Sequence, residues 1–178
     1  QQLDEFEQRG FLFEPDFLDQ REVQELTGHL HELLARDEFR GRDFSVTEPG
    51  SEEIRSLFAV HFLSERFRQL ARDPRLTGRA RQVLDDHHKQ SLKTQEFGVP
   101  GNDVLQALIE RGGIEAPTGK AGGLILFDCN TLHGSNANMS PDPRSNVFFV
   151  YNRRDNVCDR PYAARRRRPS FLAHGPGE

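Results

Sequence analysis

Two apolar, β-rich runs, Leu124–Leu132 and Val147–Tyr151, flank the polar connector GSNANMSPDP, and no other part of the 178-residue chain constrains its fold as strongly. Apolar runs bounded by Gly, Pro, Asn and Ser read as strands, and this pair reads as a hairpin with a long, turn-rich connection. In such a hairpin His133, at the end of one strand, and Arg144, at the start of the next, approach each other despite their eleven-residue separation. A neutral imidazole ligates divalent metals. A guanidinium offers a planar fork to a carboxylate, and Ser135 adds a hydroxyl donor beside it.

The first half of the chain is helical in pattern. Leu3 and Phe6 have helical spacing, and at Gly10 the pattern gives way to a strand-like FLF. Asp19 followed by Glu22 predicts a capping box, and Val23, Leu26, Leu30, Leu33 and Leu34 form one apolar stripe behind it. His29 and His31 on that helix point in different directions and are read as surface residues. GRDFSVTEPGSEEIRSLFAVHFLS is expected to be a loop around Pro49-Gly50 and then an extended apolar run, with His61 structural. Ser64 is expected to cap one helix and Asp73-Pro74 to start another, with Pro at the first helical position. Beyond Asp85 the chain is polar, with a short helix ending at Gly112-Gly113 and a turn cluster, APTGKAGG. The last segment, from Arg153, reads as irregular.

Composition narrows the classes. One domain, 1–178, is the natural division of this length, with a helical part at 1–84 and a C-terminal part at 85–178 that carries the strands. A net charge of −4 argues against nucleic acid as the main partner, and ARRRRP at 164–169 is read as a solvated tail. No apolar run approaches a membrane span, and a soluble, cytoplasmic protein without membrane contact is expected. Cys129 and Cys158 read as reduced thiols, with Cys129 a small buried residue. His87-His88, of the right residue type for a metal ligand, lies in a polar stretch, and the Gly-rich ERGGIEAPTGKAGG lacks phosphate-loop spacing. Asn130, Asn136 and Asn138 read as turn and strand-end residues.

A metal ligand beside a carboxylate clamp is the arrangement that a 2-oxoglutarate enzyme requires, although His and Arg at the ends of a hairpin are also common as structural residues. The run FDCNTLHGSNANMSPDPRSNVFFVYN adds a further signal: it resembles the C-terminal signature of the ectoine-hydroxylating branch of the phytanoyl-CoA dioxygenase family. FEQRGFLFEPDFL, RSLFAVHFLS, LARDPRLTGRARQVL, DHHKQSLKTQEFGVP, ERGGIEAPTGKAG and RRRPSFLA are similar to other segments of that family, so the resemblance spans nearly the whole chain. It implies a mainly β protein with flanking helices, a cupin-like double-stranded β-helix (jelly roll). It also implies Fe(II), 2-oxoglutarate as cosubstrate, O2, hydroxylation of ectoine to 5-hydroxyectoine, and a homodimer. Position by position, His133 resembles the distal iron-ligating His. Arg144 and Ser135 resemble the residues that hold the 2-oxoglutarate carboxylate. Phe127 and Asn146 resemble substrate contacts: a Phe face attracts an amidinium cation and an Asn amide fixes orientation.

One part of the pattern is missing. A 2-His-1-carboxylate iron site needs a His-x-Asp or His-x-Glu pair besides the distal His. None of the seven histidines is followed two positions later by an acid, and Asp128 in a continuous strand faces away from His133. The family places the pair between segments like ARQVL and DHHKQSL, and here Leu84 runs straight into Asp85. The absence of Trp and the two Tyr fit the loss of a block that is rich in both, and too few strands remain for a complete barrel. Three origins stay open: ordered segments joined across an unwritten stretch, true loss of the block, or divergence of the ligands. The first is preferred, because half a barrel leaves strand edges and apolar faces uncovered. Two rival functions follow, an oxygenase for another small amino-acid-like substrate and a non-catalytic solute-binding protein. A general interaction module ranks last.

Overall fold

The computed structural model describes residues 2–86, 101–129, 131–135 and 138–153. Helix α1 (Gln2–Arg9) buries Phe6 and ends at Gly10, whose positive φ of 77° turns the chain into strand β1 (Phe11–Glu14). Helix α2 (Gln20–Leu34) begins with the expected capping box. The Asp19 carboxylate accepts from the Glu22 N–H at 2.8 Å, and the Asp19 N–H donates to the Glu22 carboxylate at 2.9 Å, so two otherwise unpartnered helix-end groups are satisfied. The α2 stripe is the inner face: Leu26 and Leu33 are buried and Leu30 and Leu34 pack beside them.

Strands β2 (Ser45–Thr47) and β3 (Ile54–Leu57) form an antiparallel hairpin around Pro49-Gly50. This corrects the loop and longer extended run that the sequence pattern predicts there. The run stops at Leu57 because Ala59 adopts a left-handed conformation, φ 53°, and helix α3 (Val60–Leu63) follows. His61 is half-buried against the Phe62 ring, in keeping with a structural role. Ser64 caps α4 (Glu65–Ala71), and α5 (Pro74–Asp86) starts with Pro at its first position. This helix includes Leu84 and Asp85. Helix α6 (Asn102–Gly112) ends at Gly113, φ 73°. His29 and His31 are exposed, as expected. His87-His88, Asn130, Asn136, Cys158, His174 and the ARRRRP run lie outside the described residues.

The core joins α2, α4 and α5 through Leu26, Leu33, Phe39, Ile54, Phe67, Leu70 and Leu76. Phe67 is only 1% exposed, and burying one such side chain contributes about 1.5–3 kcal/mol. Strand β4 (Leu124–Phe127) joins this layer by pairing with β1, not with the run after the connector. The predicted hairpin is therefore corrected. Antiparallel register places Phe11 opposite Phe127 and Phe13 opposite Ile125, cross-strand pairs that the long polar connector cannot offer. The run 147–151 has no ladder among the described residues. From Phe148 on, exposure nevertheless alternates as in a strand: Phe149 and Tyr151 pack on the core, whereas Phe148 and Val150 are 69% and 95% exposed. The Tyr151 hydroxyl donates to the Ala71 carbonyl at 2.8 Å, pinning the run to the end of α4, and burial raises its pKa.

Among the described residues, helix outweighs strand and the sheets are two pairs, β1-β4 and β2-β3. Four short strands fall short of the roughly eight in a jelly roll, in line with the shortage of strands expected from the sequence. No helix among them is long and apolar enough to cross a membrane.

Candidate functional site

The His133 segment is built on the end of α1. After Phe127 the backbone leaves β4 and wraps around one acceptor, the Gly10 carbonyl. It accepts from the Asp128 N–H at 2.9 Å and from the Thr131 hydroxyl at 2.8 Å. The Thr131 N–H donates to the Asp128 carbonyl at 2.9 Å and closes the turn. Gly10 is needed here twice: its positive φ disfavours any side chain, and a Cβ there would lie 2.7 Å from the Thr131 hydroxyl oxygen. This turn also corrects the expectation for Cys129, which is exposed because the strand ends at Phe127 instead of running to Leu132.

Thr131 in turn orients the imidazole. The His133 Nδ1 lies 2.9 Å from the Thr131 carbonyl, and because a carbonyl can only accept, Nδ1 carries the proton. In the neutral ring this leaves the lone pair on Nε2, the form that suits a metal ligand whose other nitrogen is held by the backbone. The ring also packs on Phe127, with centroids 4.8 Å apart and planes inclined at 52°. Two of the five residues singled out in the sequence are thereby brought together, and Phe127 is half-buried. The β1-β4 ladder positions the Phe and the Gly10-centred turn positions the His.

Ser135, Arg144 and Asn146 are exposed, and among the described residues none forms a hydrogen bond or ion pair with them. The connector before Arg144 is held by Asn138, whose amide donates to the Asp142 carbonyl at 2.6 Å and whose oxygen accepts from the Ser140 N–H at 3.1 Å. Asn138 is therefore a turn residue, as expected. The part played by Thr131 is not predicted by the sequence pattern. Its role depends on Gly10, 121 positions away, and only the positive-φ glycine before an apolar strand hints at a fixed corner.

The donor set does not complete an iron site. Among the described residues no group of three His, Cys, Asp or Glu side chains could hold a metal ion. An iron site of this kind needs three such protein ligands.

The phytanoyl-CoA dioxygenase family matches the chain over residues 86–146. The ectoine dioxygenase of Halomonas elongata is 50% identical over an aligned length of 254 residues, taking in 99% of this chain and 76% of that protein. The ectoine dioxygenase of Bordetella parapertussis is 32% identical over 249 residues, with 97% of this chain and 81% of that protein covered. EctD from S. alaskensis with bound Fe superposes with a TM-score of 0.85 at 31% identity, covering 99% of this chain and 84% of that one. The same protein with 2-oxoglutarate and 5-hydroxyectoine gives 0.84 at 31% identity, covering 97% and 82%. An aligned length of 254 against a chain of 178 means that the H. elongata protein carries at least 76 residues with no counterpart here. They fall inside the aligned span, because the alignment takes in 99% of this chain.

Proposed function

The chain belongs to the ectoine dioxygenases, Fe(II)- and 2-oxoglutarate-dependent enzymes of the phytanoyl-CoA dioxygenase family, and we propose that its reaction is hydroxylation of ectoine to 5-hydroxyectoine in a jelly-roll fold. The reading rests above all on the 50% identity to the H. elongata enzyme. The Phe127–His133 contact and the Thr131-held Nδ1 support it locally.

In this reading His133 would hold the metal through Nε2 as one of its ligands. Phe127 offers its face to the delocalised cation of the substrate, an attraction that adds to apolar contact. Arg144 grips the distal carboxylate of 2-oxoglutarate with its planar fork, Ser135 donates a hydroxyl beside it, and Asn146 orients the substrate. Bound iron and 2-oxoglutarate supply the oxidising chemistry, while the chain supplies binding, orientation and exclusion of water. Of the three protein ligands such a metal needs, these residues furnish one. A homodimer and a cytoplasmic location belong to the same proposal, and the first is checked by size-exclusion chromatography with light scattering.

The assay is ectoine-dependent conversion of 2-oxoglutarate to succinate, run on this chain and on a variant carrying the H. elongata block between Leu84 and Asp85, with proline as the comparison substrate. Turnover with ectoine in the completed chain, several-fold above proline, supports the reading. Preferential turnover with proline, or none with either, rejects it.

A further inference from the structure

We infer that the residues of this chain do not fit a complete three-ligand iron site around His133, and that the site needs residues of a block of at least 76 that the H. elongata relative carries inside the aligned span and this chain lacks, which we place at Leu84–Asp85. The inference rests on the family assignment and departs from it at the metal.

Four independent observations converge. No histidine of the chain has an acid two positions on, so the usual pair of adjacent ligands is absent from the sequence itself. No set of three donor side chains gathers among the described residues. The excess length of the relative is internal, and the family match begins at residue 86, immediately after the junction. Finally, residues 148–151 alternate in exposure as a sheet strand does but, among the described residues, have no ladder, and Phe148 and Val150 are 69% and 95% exposed. Large apolar side chains on a strand-like edge are what remains when a pairing strand is removed. One missing block accounts for both deficits, the ligands and the strand partner. A chain that had merely exchanged its ligands for other residues would keep the partner strand.

The test is anaerobic titration of Fe(II) into the 178-residue chain, into the variant with the H. elongata block between Leu84 and Asp85, and into that variant carrying His133→Ala. Circular dichroism follows each protein's helix content. Changes outside a metal's ligand set alone weaken affinity about 10–100-fold, so loss of two ligands is expected to weaken Fe(II) binding by about 100-fold or more relative to the completed variant. The completed variant should take up one equivalent, and His133→Ala should abolish that gain. Tight binding of one equivalent by the 178-residue chain overturns the inference, whatever the variant does. A folded insertion variant that gains no His133-dependent binding overturns it too. If the variant binds Fe(II) through His133 yet does not turn over ectoine, the proposed substrate fails and the inference stands.

Discussion

Replacing Gly10 by Ala tests how the His133 turn is held. Gly10 sits at φ 77°, where an L side chain costs about 1–2 kcal/mol. The new Cβ would lie 2.7 Å from the Thr131 hydroxyl oxygen, closer than such atoms approach, so Thr131 must swing away and release the Gly10 carbonyl. That hydrogen bond is worth about 1 kcal/mol. Gly10→Ala should therefore destabilise the chain by about 2–3 kcal/mol, read as a lower urea midpoint with an unchanged slope. In a chain of this size that is a fall in Tm of roughly 4–12 °C. Thr131→Val removes the hydroxyl alone and should cost about 1 kcal/mol. Because both changes delete the same contact, the double variant should fall short of the sum by about that amount. A loss below about 0.5 kcal/mol for Gly10→Ala, the level of an ordinary surface change, would show that the turn is not built on this corner.

Other outcomes follow from the packing and the charges. The Arg75 guanidinium holds the carboxyls of Asp73 and Glu22 below their usual range, the latter also bonded to the Asp19 N–H. Carboxyls depressed in the folded state stabilise it fully above their unfolded pKa of about 4, and the contribution fades as pH falls through the lower folded values. Arg75→Gln should therefore lower stability most at neutral pH, with the gap closing toward pH ~3 in urea titrations across that range. Asp19→Ala deletes the 2.8 Å bond to the Glu22 N–H and should cost about 1 kcal/mol by the same method. Phe67→Ala empties a site that is 1% exposed and should cost about 3–5 kcal/mol, with a broadened or absent thermal transition.

Features whose cause lies within a few residues are legible in the sequence. Asp19 with Glu22, Ser64 before α4, Pro74 opening α5 and Gly113 closing α6 are all recognisable because caps act within one turn. Strand pairing is not, because it is settled between distant segments. Leu124–Phe127 looks as if it should pair with the next apolar run, yet Phe11–Glu14 is its partner across more than a hundred residues. The β2-β3 hairpin does leave a signal, Pro49-Gly50 between two short apolar stretches, which a turn-centred reading recognises. Of the site, His133 and Phe127 are each singled out through the family resemblance, whereas their contact and the backbone acceptor that orients the imidazole are not. That acceptor depends on Thr131 and Gly10, two residues with no chemical signature of their own. The missing ligand pair is visible as an absence, which spacing alone can expose.

The central structural claim is that the Thr131 carbonyl fixes the His133 ring by accepting from Nδ1, which in the neutral imidazole leaves the lone pair on Nε2, the nitrogen proposed for the metal. Long-range proton–nitrogen NMR of the chain labelled with 15N-histidine reads this directly, with His133→Ala assigning the signal. At a pH where imidazole is neutral, a ring protonated on Nδ1 is the predicted result. A ring protonated on Nε2 would contradict the account, because the nitrogen meant for the metal would then have no lone pair to give.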